Sequence, residues 1–182
     1  EPGRTSRRVE LPLGAWFHYY SGTFYLGGRT VEVPAPLNEI PVFVKAGSFI
    51  PSIPLQQSLD QLNTDQLTIT YYHHESVKQS KDELYLDCGK NAKALEEGAY
   101  QLFTFKAQNT DKELTIDISH NNGVYLLRPG RRTIILEINN WGGRPEQVRI
   151  DGKNVDFRYV PRNKQTQIEF TMGADPVNIR IR

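Results

Sequence analysis

The segment Leu114-Thr115-Ile116-Asp117-Ile118 alternates apolar and polar residues without interruption. Successive side chains of a β-strand point to opposite faces of a sheet, so this alternation predicts a strand with one buried face and one solvated face. The same period recurs in residues 67–71, 168–172 and 177–181. These segments together predict strands of the antiparallel type.

Turn residues separate the predicted strands at short intervals. Asn121-Asn122-Gly123 and Arg128-Pro129-Gly130 are typical of turns, and Asp151-Gly152 tolerates the positive φ angles that a type I′ hairpin requires. Helical periodicity is not sustained anywhere, and strands do not alternate with helices. The sequence therefore predicts an all-β fold of the sandwich type.

Length and proline content indicate two modules. The chain has 182 residues, enough for one ordinary domain or two small ones and too few for a large enzyme barrel. Seven of its 11 prolines lie in the first 60 residues. We therefore predict two antiparallel β-sandwich modules, residues 1–62 and 63–182, with no catalytic barrel in this chain.

Charge and apolar runs exclude several classes of partner. Lys and Arg number 22 and Asp and Glu 21, so the near-zero balance predicts no nucleic-acid partner. Apolar runs stay well short of the roughly 20 residues that span a bilayer, which predicts no membrane partner. The start, Glu1-Pro2-Gly3-Arg4, has neither an initiator Met nor an apolar signal segment, so we expect the chain to come from a longer polypeptide.

The first module is rich in aromatic residues on both faces of one segment. In an extended segment from residue 15 to 20, Trp16, His18 and Tyr20 lie on one face, and Phe17 and Tyr19 lie on the other. Such a strand is either central to its own sandwich or an outer strand that packs against another domain. A module of about 60 residues buries only ~60% of its unfolded surface, which favours the second explanation. The apolar run over residues 40–44 indicates the same.

Three stretches of this module resemble the segment that follows the catalytic barrel in glycoside hydrolase family 31, which includes α-glucosidases and α-xylosidases. They are LPLGAWFHYYSG (11–22), YLGGRT (25–30) and APLNEIPVFVKAGSFIP (35–51). Further on, ELYLDCGK (83–90) and EGAY (97–100) are similar to the family's E-L-Y-x-D-D-G and G-x-Y pattern in its distal C-terminal domain. The resemblance is in register over roughly forty residues of the first module, far longer than a chance motif.

Four positions depart from the family's pattern. His18 stands where Asp is usual, Tyr20 where Trp is usual, Lys45 where Arg is usual, and Cys88 where the second Asp is usual. Lysine presents a point charge instead of the bidentate fork of arginine, so a forked salt bridge is not expected at residue 45. Cys88 is the only cysteine, and an intrachain disulfide is therefore excluded.

The resemblance implies a parent enzyme with an N-terminal β-domain, a (β/α)₈ catalytic barrel, and proximal and distal C-terminal β-sandwiches. This chain would be most of the last two, with the start of the proximal sandwich missing. Family members are retaining hydrolases with an aspartate nucleophile in a W-x-D-M-N-E-like motif on the barrel. Neither Trp16 nor Trp141 lies in such a motif, so no catalytic residue carries over to this chain. The implied function is structural: these non-catalytic β-domains would buttress the barrel of an α-glycosidase.

The partners implied are therefore the catalytic barrel of the same polypeptide and the parent's oligo- or polysaccharide substrate, with no cofactor and no metal. The aromatic side chains offered as barrel-facing candidates are Trp16, Phe17, Tyr19, Phe43 and Phe49. An alternative function is carbohydrate binding by the distal sandwich. Trp141 is the candidate sugar contact, with packing as the competing role.

For the other acidic and histidine residues, the sequence favours ordinary structural roles. Asp82-Glu83 and Glu96-Glu97 are adjacent acid pairs, but neighbours on a strand point to opposite faces. His73-His74-Glu75 lacks the convergent ligand spacing of a zinc site. We therefore expect solvated surface for the acids and a polar strand end for the histidines.

Overall fold

A computed structural model describes residues 5–57, 63–126 and 128–182, and strands dominate all three ranges. Within these ranges there is no α-helix, and the helical element is a single 3-10 turn, Pro161–Asn163. The described chain also has no helix of the length and apolarity that crossing a membrane requires. The prediction of an all-β fold is confirmed. The strands are β1 Ser6–Leu11, β2 Ala15–His18, β3 Phe24–Leu26, β4 Arg29–Pro34, β5 Phe43–Lys45, β6 Phe49–Ser52, β7 Gln66–Tyr72, β8 Gln79–Leu86, β9 Gln101–Asn109, β10 Leu114–His120, β11 Arg132–Asn139, β12 Val148–Ile150, β13 Lys153–Asn154, β14 Arg158–Val160, β15 Gln165–Met172 and β16 Val177–Ile181.

A sandwich of two sheets contains most of the buried apolar side chains. One sheet has the order β13-β12-β16-β10-β9-β8 and the other β14-β15-β11-β7-β6. Alternate residues of β11 are buried, as period-2 alternation requires, and the same holds for β9. The four strands predicted from alternation are present as β7, β10, β15 and β16. The core lies between the two sheets.

One strand pair of the sandwich is parallel. β7 pairs with β11 in the same direction, with Leu67 opposite Ile134, whereas every other pair in the described ranges is antiparallel. A parallel pair needs a long crossover connection. Here the crossover carries β8, β9 and β10, which belong to the opposite sheet.

The predicted Asp-Gly hairpin is confirmed. β12 and β13 pair antiparallel with Ile150 opposite Lys153, and the two residues between them both have positive φ, 49° at Asp151 and 80° at Gly152. This combination is the one that a type I′ turn requires.

The predicted first module contains two small sheets, β1-β4 and β3-β2-β5. Leu11, Val31 and Val33 form a small core between β1 and β4, and Phe17 and Val44 belong to a second one. The apolar run over residues 40–44 is a strand only from Phe43 onward. Ile40 is 79% exposed, so the run as a whole is not covered on both sides within this chain.

Strand β6 connects the first module to the sandwich. It pairs antiparallel with β7, and Phe49 at its start lies in the sandwich core. The backbone N–H of Phe49 also donates to Asp82 Oδ2 of β8 at 2.8 Å. The predicted boundary at residue 62 falls on residues 58–62, which lie outside the described ranges, and it stays a prediction. β6, from the predicted first module, is thus an edge strand of the second.

Candidate functional site

The aromatic side chains on β2 pack mainly within this chain. Phe17 is 3% exposed and contacts Tyr72 of β7 and Phe24 of β3, with ring centroids 6.0 Å and 5.7 Å away. Phe24 stacks on His74 at 4.9 Å with nearly parallel rings. Through this cluster the β3-β2-β5 sheet packs against the sandwich.

The five barrel-facing candidates do not share one exposed face. Phe17 and Phe49 are buried inside the chain. Trp16 is half-buried and its indole N–H donates to the carbonyl of Pro12 at 2.8 Å. Phe43 is half-buried among other aromatic rings, while Tyr19 is 46% exposed. Among the five, Tyr19 offers the largest free surface.

Exposed apolar side chains are nevertheless concentrated in the first module. Of the 14 large exposed hydrophobic side chains in the described ranges, eight lie between residues 13 and 42. We call these eight the apolar surface of the first module. The sequence indicated this aromatic segment as an interface, but most of the side chains selected from it are buried or half-buried. The eight are Leu13, Tyr19, Tyr20, Phe24, Leu26, Leu37, Ile40 and Val42.

Trp141 packs against the end of the sandwich. It is half-buried, contacts the main core, and lies edge-to-face with His73 at 4.9 Å. Burial lowers the pKa of His73, which disfavours a charged imidazole beside the indole. The contacts of Trp141 therefore fit packing better than a free sugar platform.

A broad cleft of about 690 Å³ lies where the first module meets the sandwich. We call it the junction cleft. Tyr19, Tyr20 and Phe24 line one side, and Tyr72 lies on the sheet opposite. Polar side chains of β7, β11 and β15 and the loop before β15 complete the lining. Aromatic walls with a few polar groups are typical of small-molecule sites.

Hydrogen bonds fix the polar side of the junction cleft. Glu137 of β11 accepts from Thr70 Oγ1 at 3.2 Å and from Gln165 Nε2 at 3.2 Å, and Gln165 Nε2 also donates to Asn139 at 3.0 Å. Burial raises the pKa of the neighbouring Tyr72 hydroxyl, with Tyr19 and Glu137 adding to the shift. Carboxylate and amide groups thus form a preorganised polar row beside the aromatic rings.

The acid pairs occupy ordinary structural positions. Asp82 is half-buried and accepts from Phe49, while Glu83 points outward and pairs with Lys81 at 2.6 Å. Glu96 and Glu97 are both exposed. Sequence reasoning missed the role of Asp82 in holding β6, because the partner lies 33 residues away.

The remaining residues with reactive side chains lie apart from one another in the described ranges. These ranges hold no group of three His, Cys, Asp or Glu side chains placed to bind a metal ion. Cys88 is half-buried with a free thiol, beside the turn in which Gly89 N–H donates to Asp87 at 2.7 Å. His18 is buried and lies 3.7 Å from a carboxylate oxygen of Glu39, so at this departure from the family pattern a histidine faces an acid.

Sequence comparison identifies relatives among glycosidases. Residues 1–50 match the family described as the glycosyl hydrolase family 31 C-terminal domain. A probable glucan 1,3-alpha-glucosidase of Arabidopsis thaliana is 35% identical over 91 residues, which cover 49% of this chain and 10% of that protein. The lysosomal alpha-glucosidase of Rattus norvegicus is 26% identical over 193 residues, covering 94% of this chain and 20% of that protein.

Solved structures share the fold over the whole chain. A GH31 dextranase of Flavobacterium johnsoniae, in complex with isomaltotriose, has a TM-score of 0.91 at 23% identity and covers 100% of this chain and 25% of its own. A GH31 alpha-xylosidase from Xanthomonas citri has a TM-score of 0.73 at 26% identity, covering 98% of this chain and 17% of its own. The chain thus spans a quarter or less of each of these proteins.

Proposed function

We propose, because this chain belongs to the C-terminal β-domains of glycoside hydrolase family 31, that it is a non-catalytic part of a retaining α-glycosidase and that its first module buttresses the catalytic barrel. The proposal includes two modules, residues 1–62 and 63–182, as the proximal and distal sandwiches. We also propose that the parent enzyme hydrolyses terminal α-glycosidic bonds.

The apolar surface of the first module carries this proposal. Leu37 and Ile40 are 106% and 79% exposed, and an apolar surface left in water costs about 25 cal/mol per Å². Single exposed apolar residues are normal, but eight within 30 residues of sequence are typical of an interaction surface.

Backbone contacts bring parts of this surface together. The N–H of Tyr19 donates to the carbonyl of Val42 at 2.8 Å, so the two exposed residues are direct neighbours. Tyr20 lies edge-to-face against Tyr19 at 5.1 Å. A barrel packed here would cover these side chains without disturbing the inner core around Phe17.

The adjacent acid pair Asp82-Glu83 supports a non-catalytic role. Retaining glycoside hydrolysis uses two carboxyl groups about 5–5.5 Å apart that flank the scissile bond. Asp82 is engaged by the backbone of Phe49, and Glu83 by Lys81 on the same strand. Both carboxylates thus make structural contacts. We therefore assign the reaction to the barrel.

Self-association tests the buttressing surface. The double variant Leu37→Ser/Ile40→Ser is expected to remove much of the exposed apolar area, so the wild-type chain should associate at high concentration and the variant should stay monomeric. Sedimentation velocity over a concentration series measures both. Leu95→Ser, at a side chain 68% exposed in the second module, serves as the matched control and should associate like wild type. A wild-type chain that stays monomeric throughout contradicts the proposed surface.

A second candidate function, binding of an oligosaccharide, is favoured by the junction cleft. The pyranose ring has an apolar C–H face that packs on tyrosine rings, and Tyr20 is 57% exposed at the cleft. The ring hydroxyl groups need donors and acceptors, which Glu137, Asn139 and Gln165 supply. We therefore propose the cleft, instead of Trp141, as the candidate sugar contact.

Calorimetry with isomalto- and malto-oligosaccharides tests this binding. Tyr20→Ala is expected to weaken binding about tenfold, because it removes the exposed stacking surface, equivalent to roughly 1.4 kcal/mol. Tyr85→Ala removes a tyrosine of similar exposure, 41%, outside the cleft and should leave the affinity unchanged. Absence of heat at millimolar sugar, or equal loss in both variants, would eliminate the candidate.

A further inference from the structure

A buried arginine lies at one end of the sandwich. Arg132 begins β11 and is 4% exposed. Its Nε donates to the carbonyl of Thr64 at 2.8 Å and its Nη2 to the hydroxyl of Tyr125 at 2.8 Å, while Nη1 donates to the side-chain carbonyl of Gln101. Every one of these acceptors is neutral.

Among the residues that the structure describes, no ionic partner is in direct contact with the charge of Arg132. The salt bridges in the described ranges involve other residues, and Asp65 acts on Arg132 only from a distance. A buried charge costs free energy unless an opposite charge compensates it. Burial is the main cause that lowers the pKa of Arg132, and the positive charge of Arg128 adds to it.

Two buried N–H groups beside Arg132 find no acceptor in the described part of the chain. One is Nε2 of Gln101, a residue with no exposed surface, and the other is Nε of Arg128. The Gln101 amide cannot be turned around, since its oxygen already accepts from Arg132. Buried donors normally have partners, so the two together indicate a shared acceptor.

A small cavity lies among these groups. Its lining includes Gln101, Arg128, Arg131, Arg132 and His120, and no Asp or Glu contributes to it from the described ranges. His120 Nε2 lies 2.9 Å from the carbonyl of Gly173, and its Nδ1 accepts from Asn122 N–H, so the ring is already satisfied as a neutral imidazole. The cavity volume is about 10 Å³, room for one water-sized species.

We propose that this cavity binds a monatomic anion of the chloride class. Such an anion accepts from several donors at once and compensates the buried guanidinium. A water molecule also accepts, but it brings two hydrogens and no charge, whereas the charged side chains of the lining are all arginines. Tetrahedral oxyanions such as sulfate are larger than this cavity. This inference is independent of the function proposed above.

Thermal unfolding of the chain in different sodium salts tests the site. At equal ionic strength, 100 mM chloride is expected to give a melting temperature at least about 3 °C above that in methanesulfonate, an anion too large for the cavity, because a ligand that binds only the folded state stabilises it. Crystals grown with sodium bromide should show an anomalous peak between Gln101 and Arg128.

Two arginine variants separate binding from general salt effects. Arg128→Met removes one donor and should abolish the chloride-dependent shift. Arg149→Met removes the same charge at an exposed position of β12 and should keep the shift. Equal melting temperatures of wild type in both salts overturn the proposal, whether or not bromide appears, since a peak alone would show an adventitious ion only. A shift that survives in Arg128→Met overturns it as well.

Discussion

Replacement of Leu136 by alanine is expected to lower the free energy of unfolding by about 2–5 kcal/mol. Leu136 lies in the middle of β11 and has no exposed surface. Its neighbours across the sheet are Ile69 of β7 and Ile168 of β15, which are equally buried. Because both flanking strands are held by their own pairings, the sheet cannot collapse into the space, and the variant keeps a cavity.

Urea and thermal unfolding measure this loss. The melting temperature should fall by about 4–20 °C, since each kcal/mol corresponds to roughly 2–4 °C in a chain of this size. Ile135→Ala is the matched control, because the adjacent residue is half-buried on the opposite face of the same strand. It should cost less than about 1.5 kcal/mol. Equal losses in the two variants would show that the sheet does not bury the Leu136 face as described.

Gly27→Ala is expected to destabilise the first module by about 3 kcal/mol through a direct clash. A Cβ at residue 27 would lie 1.9 Å from the carbonyl oxygen of Pro12 and 2.8 Å from Nε1 of Trp16. The same carbonyl accepts the indole hydrogen bond of Trp16. The N–H groups of Gly27 and Gly28 hold this loop to Gly14 and Leu11, both at 2.8 Å. The backbone must therefore shift, and the indole loses its acceptor.

Fluorescence of Trp16 in a Trp141→Phe background reports this change directly. In Gly27→Ala the emission should shift toward that of a solvent-exposed indole at a lower urea concentration than in the parent. Gly142→Ala is the control, because a Cβ there meets no atom within 4 Å. If Gly27→Ala unfolds like the control, the close approach of residues 12 and 27 is refuted.

The sequence predicted the sandwich strands well because their signal is local. In residues 114–118 and 177–181 alternation alone defines the buried face, and both are strands. The same alternation favoured antiparallel pairing for residues 67–71, so the parallel partnership of β7 and β11 was not predicted. The assignment of β6 to the sandwich sheet was equally hidden, since the proline-rich composition groups Phe49 with the first module.

The candidate sites were less predictable because they assemble distant segments. Alternation identified the two faces of β2 but not which face packs within the chain, so Phe17 and Tyr19 were treated alike. The junction cleft combines residues from the loop after β2 and from β3, β6, β7, β11 and β15, which share no motif. Arg132 did have a signal: it lies in phase with Ile134, Leu136 and Ile138, which places a guanidinium on the buried face.

The parallel pairing of β7 and β11 imposes an order of events on the ribosome. Leu67 lies opposite Ile134, so 67 further residues must be synthesised before that partner exists. Until then β7 can pair with β6 on one side, but the backbone N–H and C=O groups of its other edge have no partner strand. Such an edge is a template for pairing with another chain, so this interval is a period of exposure to misassembly.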